Sequence, residues 1–329
     1  IMAMCALYRP GPLSAGMVPQ YIYRKHGREE VVYDHPMMEE LLKETYGVTI
    51  YQEQIMRISR MLAGFTGGEA DTLRKAMGKK KHDVLAKMKR GFIDGCKKNG
   101  VGEKIAKKIW HDWEGFADYA FNKSHTACYG MIAYRTAYLK AHYPAEFMAA
   151  VMNSDSGNID RMNIEVQECQ RMGIEVLPPD VNESFKGFGV VGEEKQIRWG
   201  LVAIKNVGDD IAATIVRERK DNGSYVDLSD FVTRINSRNF NRKSLESLIM
   251  AGAFDRYGDR GILLANVDRI LRFNKKVQQD KERSQGTLFG MAPDMDVNNL
   301  KLDAAPESSR TERLSWEREL LGIYVSDHP

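Results

Sequence analysis

The segment G-L-V-A-I-K-N-V-G-D-D-I-A-A-T-I-V-R-E-R-K-D-N-G, Gly200 to Gly223, is the stretch on which the reading of this chain turns. Two helical runs flank a tight turn, Ile204-Lys205-Asn206-Val207-Gly208, and Asp209 is placed to cap the second helix. A Gly-containing hairpin of this kind exposes backbone N–H groups at a helix N-terminus, where the helix dipole also favours an anion. A DNA phosphate suits that geometry, and Lys205 adds charge. Such contacts would be blind to base sequence. The DNA-binding candidates are therefore Lys205, Asn206, Val207 and Gly208. An ordinary helical hairpin with Gly as a cap accounts for the same residues. Further on, Leu245, Leu248, Ile249 and Gly252 precede Ala253-Phe254 and suggest a second such unit.

Toward the N-terminus the periodicity changes. Phe185, Phe188 and Val190 alternate, as do Ile197, Trp199 and Leu201, with Gly192-Glu193-Glu194 between them, which predicts a short β-hairpin. Leu177-Pro178-Pro179 marks a change of character before it. Residues 36–175 read mostly as helices: Leu41 and Leu42, then Ile55, Ile58 and Leu62, recur at helical spacing. Gly64, Gly67 and Gly68 break that region, as do Gly100 and Gly102. A helix is predicted from about Lys123 to His142, stopped by Pro144. Arg9 to Leu13, R-P-G-P-L, is a rigid turn, because two prolines fix φ.

Toward the C-terminus, helices are predicted over 209–220, 228–235, 242–250 and 261–279. Residues 280–309 are polar and rich in Gly, Pro, Asn, Asp and Ser, and read as a flexible linker. Within it, Gln285-Gly286-Thr287-Leu288-Phe289 sets two large apolar residues in polar chain. Such residues mark a docking site unless they fold back on the neighbouring domain. Asp294 and Asp296 form a D-x-D pair, but nothing rigid near them would support hard-cation coordination. Trp316 to Tyr324 is apolar again, as though a new domain begins.

Charge is unevenly spread. The whole chain has 48 Lys+Arg against 45 Asp+Glu, a net +3. Between Arg74 and Lys108 stand 13 bases and three acids (Asp83, Asp94, Glu103), so 13 − 3 gives +10. That is the footprint of a polyanion partner; a solvated helix face is the alternative. Just beyond lies Phe121-Asn122-Lys123-Ser124-His125, a set able to contact phosphates and bases. Helix capping by Asn122 or Ser124 is an equally physical use of these residues. Tyr51-Gln52-Glu53-Gln54 reads as a contact surface or a buried polar network.

With 329 residues, 43% hydrophobic and 28% charged, the chain has the composition of an ordered protein of two or three domains. No uninterrupted apolar run approaches the roughly 18 residues of a membrane span, and no secretory signal is evident. Four cysteines, Cys5, Cys96, Cys128 and Cys169, form no C-x-x-C pair, which argues against a zinc knuckle and for a reducing, cytoplasmic setting. Neither a Ser-His-Asp set nor a P-loop occurs. The opening at Ile1 suggests a piece of something longer. The fold class expected is mainly α: a helical first domain, a small α-rich helix–hairpin–helix module with a short β-hairpin, then a linker.

The succession A-L-Y-R-P-G-P-L, K-H-G-R-E-E, Y-G-V-T-I-Y-Q-E-Q-I-M, L-R-K-A-M-G-K-K-K, F-N-K-S-H-T-A-C-Y and L-K-A-H-Y-P-A-E-F-M-A-A-V-M resembles the bacterial replicative DNA polymerase III alpha subunits, the DnaE-type C-family polymerases. The resemblance continues through L-P-P-D-V-N, A-I-K-N-V-G, L-I-M-A-G-A-F-D and L-G-I-Y-V-S-D-H-P. It implies an enzyme that transfers a nucleotidyl group from a dNTP to a primer 3′-OH, using two Mg²⁺ ions held by palm aspartates. It places those aspartates before Ile1, so that no catalytic or metal residue is expected here and this stretch alone should be inactive.

The resemblance assigns residues 1–20 to the edge of the palm, 21–180 to the fingers and 181–275 to a tandem helix–hairpin–helix module. It assigns 276–315 to a linker and 316–329 to the start of another domain. Arg74, Lys75, Lys79, Lys80, Asn122, Lys123 and His125 become candidates for nucleotide and template contacts. Gln285, Leu288 and Phe289 match the family's sliding-clamp motif. Partners implied are primer–template DNA, dNTP, the β sliding clamp and other holoenzyme subunits, with no membrane. A non-catalytic DNA- and clamp-binding protein on the same scaffold, or an error-prone paralogue, are the alternatives.

Overall fold

The computed structural model describes residues 1–79, 81–116, 121–285 and 300–326; the side chains of 82, 115, 116 and 282–285 are outside that description. Helices dominate, as expected. In order they are α1 (Met2–Leu7), α2 (Pro10–Ser14), α3 (Met17–Lys25), α4 (Glu39–Leu42), α5 (Gln52–Ala63), α6 (Gly67–Gly78), α7 (His82–Lys98), α8 (Glu103–Phe116) and α9 (Lys123–His142). After these come α10 (Pro144–Ser154), α11 (Ile159–Arg171), α12 (Asp209–Asn222), α13 (Leu228–Arg234), α14 (Arg242–Met250), α15 (Arg260–Ala265), α16 (Val267–Gln285) and α17 (Arg310–Leu320). Two compact units divide the chain, Ile1–Tyr138 and Leu139–Pro329.

In the first unit, α5 presents Ile55, Ile58 and Leu62 on one face, all buried. Against them pack Phe92 and Cys96 of α7 and Trp110 and Trp113 of α8. The Phe92 ring lies 5.4 Å from Trp110 and 5.0 Å from Trp113. Gly64, at φ +72°, ends α5 in the left-handed region. Thr66 and Glu69 close a capping box at the start of α6. Gly95 of α7 lies close against the end of α5: a Cβ there would lie 2.1 Å from the Ala63 carbonyl oxygen. Gln54 is fully engaged below the surface. Its Oε1 accepts from the N–H groups of Ile50 and Tyr51 at 2.8 and 2.9 Å, and its Nε2 donates to Thr45 Oγ1 at 2.8 Å. The Tyr51–Gln54 stretch is thus a polar network at this position.

The second unit contains a small sheet, β1 (Val176–Leu177), β2 (Gly189–Val191) and β3 (Gln196–Arg198), in the order β1-β3-β2. The expected hairpin is β2–β3, antiparallel with Val190 opposite Ile197. Gly192 and Lys195 take positive φ in its turn. β1 pairs parallel to β3 with Val176 opposite Ile197. Around the sheet, one core joins Met152 and Cys169 of α10 and α11 to Trp199, Ile211, Phe231 and Phe254.

Three expectations differ from this structure. The sequence reading ended the fingers at 180, yet α10, α11 and β1 share their core with the second unit, so that the compact division falls inside α9. The linker was expected from 276, with helix ending near 279, but α16 runs to Gln285. Asn274, Gln278 and Lys281 on α16 bond the carbonyls of Val232, Thr233 and Ile235, which extends the docked helix. Residues 300–308 also lie on the second unit. Leu300 and Leu302 pack on its core, and Asp303 and Asn266 exchange hydrogen bonds of 2.8 and 3.0 Å. The stretch from 316 likewise lies on the second unit. α17 buries Leu314 and Leu320 here, and Glu317 pairs with Arg260.

Candidate nucleic-acid interface

The hairpin at 204–208 is built as its sequence suggests, with one difference at the cap. Ile204 and Val207 are buried, while Lys205, Asn206 and Gly208 are exposed. The turn closes through the Val207 N–H to the Ile204 carbonyl at 3.0 Å, and Asn206 adopts φ +68°. Asn tolerates that region better than most residues. The N-cap of α12 is Gly208, and Asp209 is already helical, so Asp209 is not the cap. Instead Asp209 pairs with Lys186 at 2.5 Å. Not all hairpin N–H groups are open: that of Lys205 donates to the Leu320 carbonyl at 3.0 Å.

Asp210, next along α12, accepts from Asn239 Nδ2 at 3.0 Å and Ser237 Oγ at 2.9 Å. Those two donors, Asn239 first, hold its carboxyl below the usual range, so it is ionised at neutral pH. Asn206 Nδ2 donates to Ser247 Oγ at 3.2 Å.

In the first unit the basic stretch divides into engaged and free cations. Arg74 and Lys75 both bond Asp71, at 2.8 and 2.7 Å. Lys75 and then Arg74 lower the Asp71 pKa, and the two cations share that one carboxylate. Lys89 pairs with Glu114, Lys107 with Glu103, and Lys108 with Asp34 and Asp112. Among the described residues Lys79, Lys81, Lys87, Arg90, Lys97, Lys98 and Lys104 have no carboxylate partner, and all seven are exposed. Lys80 lies outside the described residues.

The Asn122–His125 segment is a helix start. Asn122 Oδ1 accepts from the His125 N–H at 3.1 Å and from Ser124 Oγ at 2.5 Å. Capping is therefore one use of Asn122. Lys123 Nζ bonds Glu44 at 2.6 and 2.7 Å, and its N–H bonds both carboxylate oxygens of Glu53 at 3.0 and 2.9 Å. Glu53 thus places a negative charge on the first turn of α9, where the dipole welcomes it. The exposed His125 ring lies edge-on to Tyr129 at 4.7 Å and 5.6 Å from Phe121. Arg9 stacks over the opposite partner of that ring, 4.5 Å from the Phe121 centroid. Sequence reading missed Glu53 and Arg9 as supports of this segment; only the R-P-G-P turn hinted at Arg9.

The segments at the end of α6 and the start of α9 meet at Gln52. Its N–H donates to the Phe121 carbonyl at 2.9 Å, and a Cβ on Gly78 would lie 3.9 Å from its Nε2. Lys79 and the Asn122–His125 cap therefore share one neighbourhood. Gln285 is the last residue of α16, while Leu288 and Phe289 lie outside the described residues. No three His, Cys, Asp or Glu side chains come together to hold a metal ion among the described residues. The Mg²⁺ pair that the resemblance implies thus finds no fitting donor set there. No helix among them is long and apolar enough to cross a membrane.

The first unit carries exposed cations without carboxylate partners, and the second carries a helical hairpin at 204–208. Comparisons with known proteins match both parts. Residues 1–100 match the bacterial DNA polymerase III alpha subunit finger domain, and residues 173–262 match a helix-hairpin-helix motif. DNA polymerase III subunit alpha of Aquifex aeolicus is 46% identical over 100% of this chain and 27% of its own length. The corresponding subunits of Haemophilus influenzae and Vibrio cholerae are each 44% identical over 100% of this chain and 29% of their length. Along its whole length the chain is similar to bacterial DNA polymerase III alpha subunits, and it spans less than a third of the length of these relatives.

Proposed function

We propose that this chain is the DNA-holding portion of a template-directed DNA polymerase, which transfers dNMP from a dNTP to a primer 3′-OH and releases pyrophosphate. The observation that carries this reading is the set of exposed, acid-free cations in the unit matched to the finger domain. Lys79, with Lys80 beside it in sequence, and the Asn122–His125 cap would face the incoming nucleotide phosphates and the template. Arg74, Lys75 and Lys123 would join them by exchanging Asp71 and Glu44 for phosphate oxygens. The hairpins would hold the duplex backbone without regard to sequence. Mg²⁺, when bound to carboxylates elsewhere in the polypeptide, supplies activation of the 3′-OH and neutralisation of the leaving pyrophosphate.

The surroundings of α9 support a larger assembly. Tyr134 and Ile132 are each 57% exposed, on a helix with apolar residues all round. Such a helix requires cover from other protein, which the remainder of the polymerase would supply. Gln285, Leu288 and Phe289 would dock on the β sliding clamp, and other holoenzyme subunits would follow. The test is a titration of the purified chain with primer–template DNA across a salt series, with dNTP and Mg²⁺ added afterwards. Salt-sensitive binding without incorporation is expected; binding indifferent to salt would sink the reading.

A further inference from the structure

The first unit holds a cavity of about 520 Å³, lined chiefly by α3, the 32–49 stretch and α8. That volume is ordinary for a small-molecule site. Its apolar lining includes Leu42, Val48, Ile109 and Trp113, all buried. Gly47 is part of the wall, at φ +77°. A Cβ there would stand 2.9 Å from the Val32 carbonyl oxygen and 3.1 Å from Arg24 Nη1, so a side chain would crowd the guanidinium on this wall.

Two donors of that lining are unfilled. Trp110 and Trp113 are both buried residues of α8, and Trp110 Nε1 donates to Glu114 Oε1 at 2.9 Å. Trp113 Nε1 has no acceptor among the described residues. A buried indole N–H ordinarily finds a partner. Arg24, its side chain 11% exposed, donates from Nε to Glu29 at 2.9 Å and from Nη1 to the Tyr46 carbonyl at 3.5 Å. Its Nη2 is left without a partner among the described residues. The acids of the lining are taken up, since Asp34 and Asp112 both bond Lys108. His111, the remaining ionisable group of the lining, lies 3.8 Å from Glu114. Arg24 and Lys108 cancel Asp34 and Asp112, and Glu29 adds an acid beside Arg24. An anion therefore finds no excess of positive charge here.

We propose that this cavity is a binding site for a neutral, planar ring compound that carries a carbonyl acceptor, such as a bicyclic lactam. The ring displaces water from the apolar lining. The carbonyl satisfies the Trp113 Nε1–H, with Arg24 Nη2 as the second donor. A ligand that only donates leaves both groups unpaired, and a carboxylate meets Asp34, Asp112 and Glu29. Neither DNA nor dNTP enters this inference, so it stands apart from the polymerase role proposed above.

The test is calorimetric titration of the chain with quinolin-2-one, with indole and with quinoline-2-carboxylate, while the side-chain N–H signals of its 4 tryptophans are followed by NMR. Quinolin-2-one should bind saturably at one site and shift one tryptophan signal, the one lost in Trp113→Phe. Indole, which has no acceptor, and the carboxylate should each bind about tenfold more weakly, the worth of one hydrogen bond to a buried donor. Trp113→Phe should cost quinolin-2-one about tenfold and leave indole unchanged. Val32→Trp, a change at an exposed residue of the lining, should block all three compounds. Binding that does not saturate, equal affinity for indole or the carboxylate, or parental affinity in both variants overturns the assignment. So does binding by the chain but not by the full-length polypeptide, because the rest of the protein would then fill the cavity.

Discussion

Arg260 and Glu317, 57 residues apart in sequence, form an ion pair shut off from water: Nη1 lies 3.0 Å from Oε1, with side chains 2% and 0% exposed. Neither charge is left short of partners. Arg260 also bonds both oxygens of Asp255, at 2.8 and 2.7 Å, and the Met250 carbonyl at 3.0 Å. The second oxygen of Glu317 accepts from the N–H groups of Val325 and Ser326, at 2.9 and 3.0 Å. The pair clasps α17 to the turn between α14 and α15.

Removing one member should be costly, because the other stays buried and unpaired. Glu317→Ala is expected to destabilise by about 3–5 kcal/mol, measured by urea unfolding. Burial pushes the Glu317 pKa up, but the bonds from Ser326 and Val325 and the Arg260 charge more than offset this, and the net shift is downward. Stability from Glu317 is therefore present above the ordinary carboxylate range and lost as pH falls through the lowered value. The variant should show a flatter acid limb than the wild type.

A second acid has the opposite sign. Glu165 of α11 is 7% exposed, its Oε2 has no hydrogen-bond partner, and its pKa is pushed up to about 7. Burial is the main cause, followed by the bond to Asp155 and its negative charge, with Arg161 acting weakly the other way. A raised folded pKa makes the protein most stable below the unfolded value and progressively less so as pH rises toward 7. Glu165→Gln should remove that loss and stabilise at pH 8 by about 2–3 kcal/mol, with little change at pH 4. Thermal melts at both pH values check this; equal shifts at both would contradict it.

Lys205→Glu should weaken duplex binding at moderate salt without a change in helical signal, since the side chain is exposed and only its backbone N–H is used internally. Preference among duplex sequences should not change, because backbone contacts carry none. A collapse of helicity would instead assign Lys205 to the fold.

Leu288→Ala with Phe289→Ala should abolish binding to a β sliding clamp and leave DNA affinity intact. Each fully buried apolar side chain contributes roughly 1.5–3 kcal/mol, so losing most of two costs on the order of 2–5 kcal/mol, enough to erase a micromolar contact. Calorimetry with purified clamp measures it; parental affinity in the double variant would move the contact elsewhere.

Local pattern carried most of the architecture. The β2–β3 hairpin was legible in its alternation, and α9, α12 and α14 in their spacing and caps, because these features are decided by neighbours in sequence. The docking of 300–326 was not legible. It depends on Asn266 with Asp303, Asp259 with Ser308 and Arg260 with Glu317, pairs that no local window contains, while the composition of 280–309 imitates a linker. At the candidate site, the Gly208 turn and the cationic stretch were visible. The engagement of Arg74 and Lys75 was within reach but overlooked, since their partner Asp71 stands just before the stretch over which charge was summed.

The close approach of Gly95 to Ala63 has a consequence at the level of the gene. With 2.1 Å between a would-be Cβ and a carbonyl oxygen, only hydrogen fits, and the obstacle is backbone that cannot rotate aside. Every base change at the first or second position of a glycine codon introduces a side chain, or a stop, at this point. Only third-base changes are silent. In a saturation library selected for growth, codon 95 should therefore survive as synonymous variants alone, while its exposed neighbours Arg90 and Gly91, on the same helix, accept replacement.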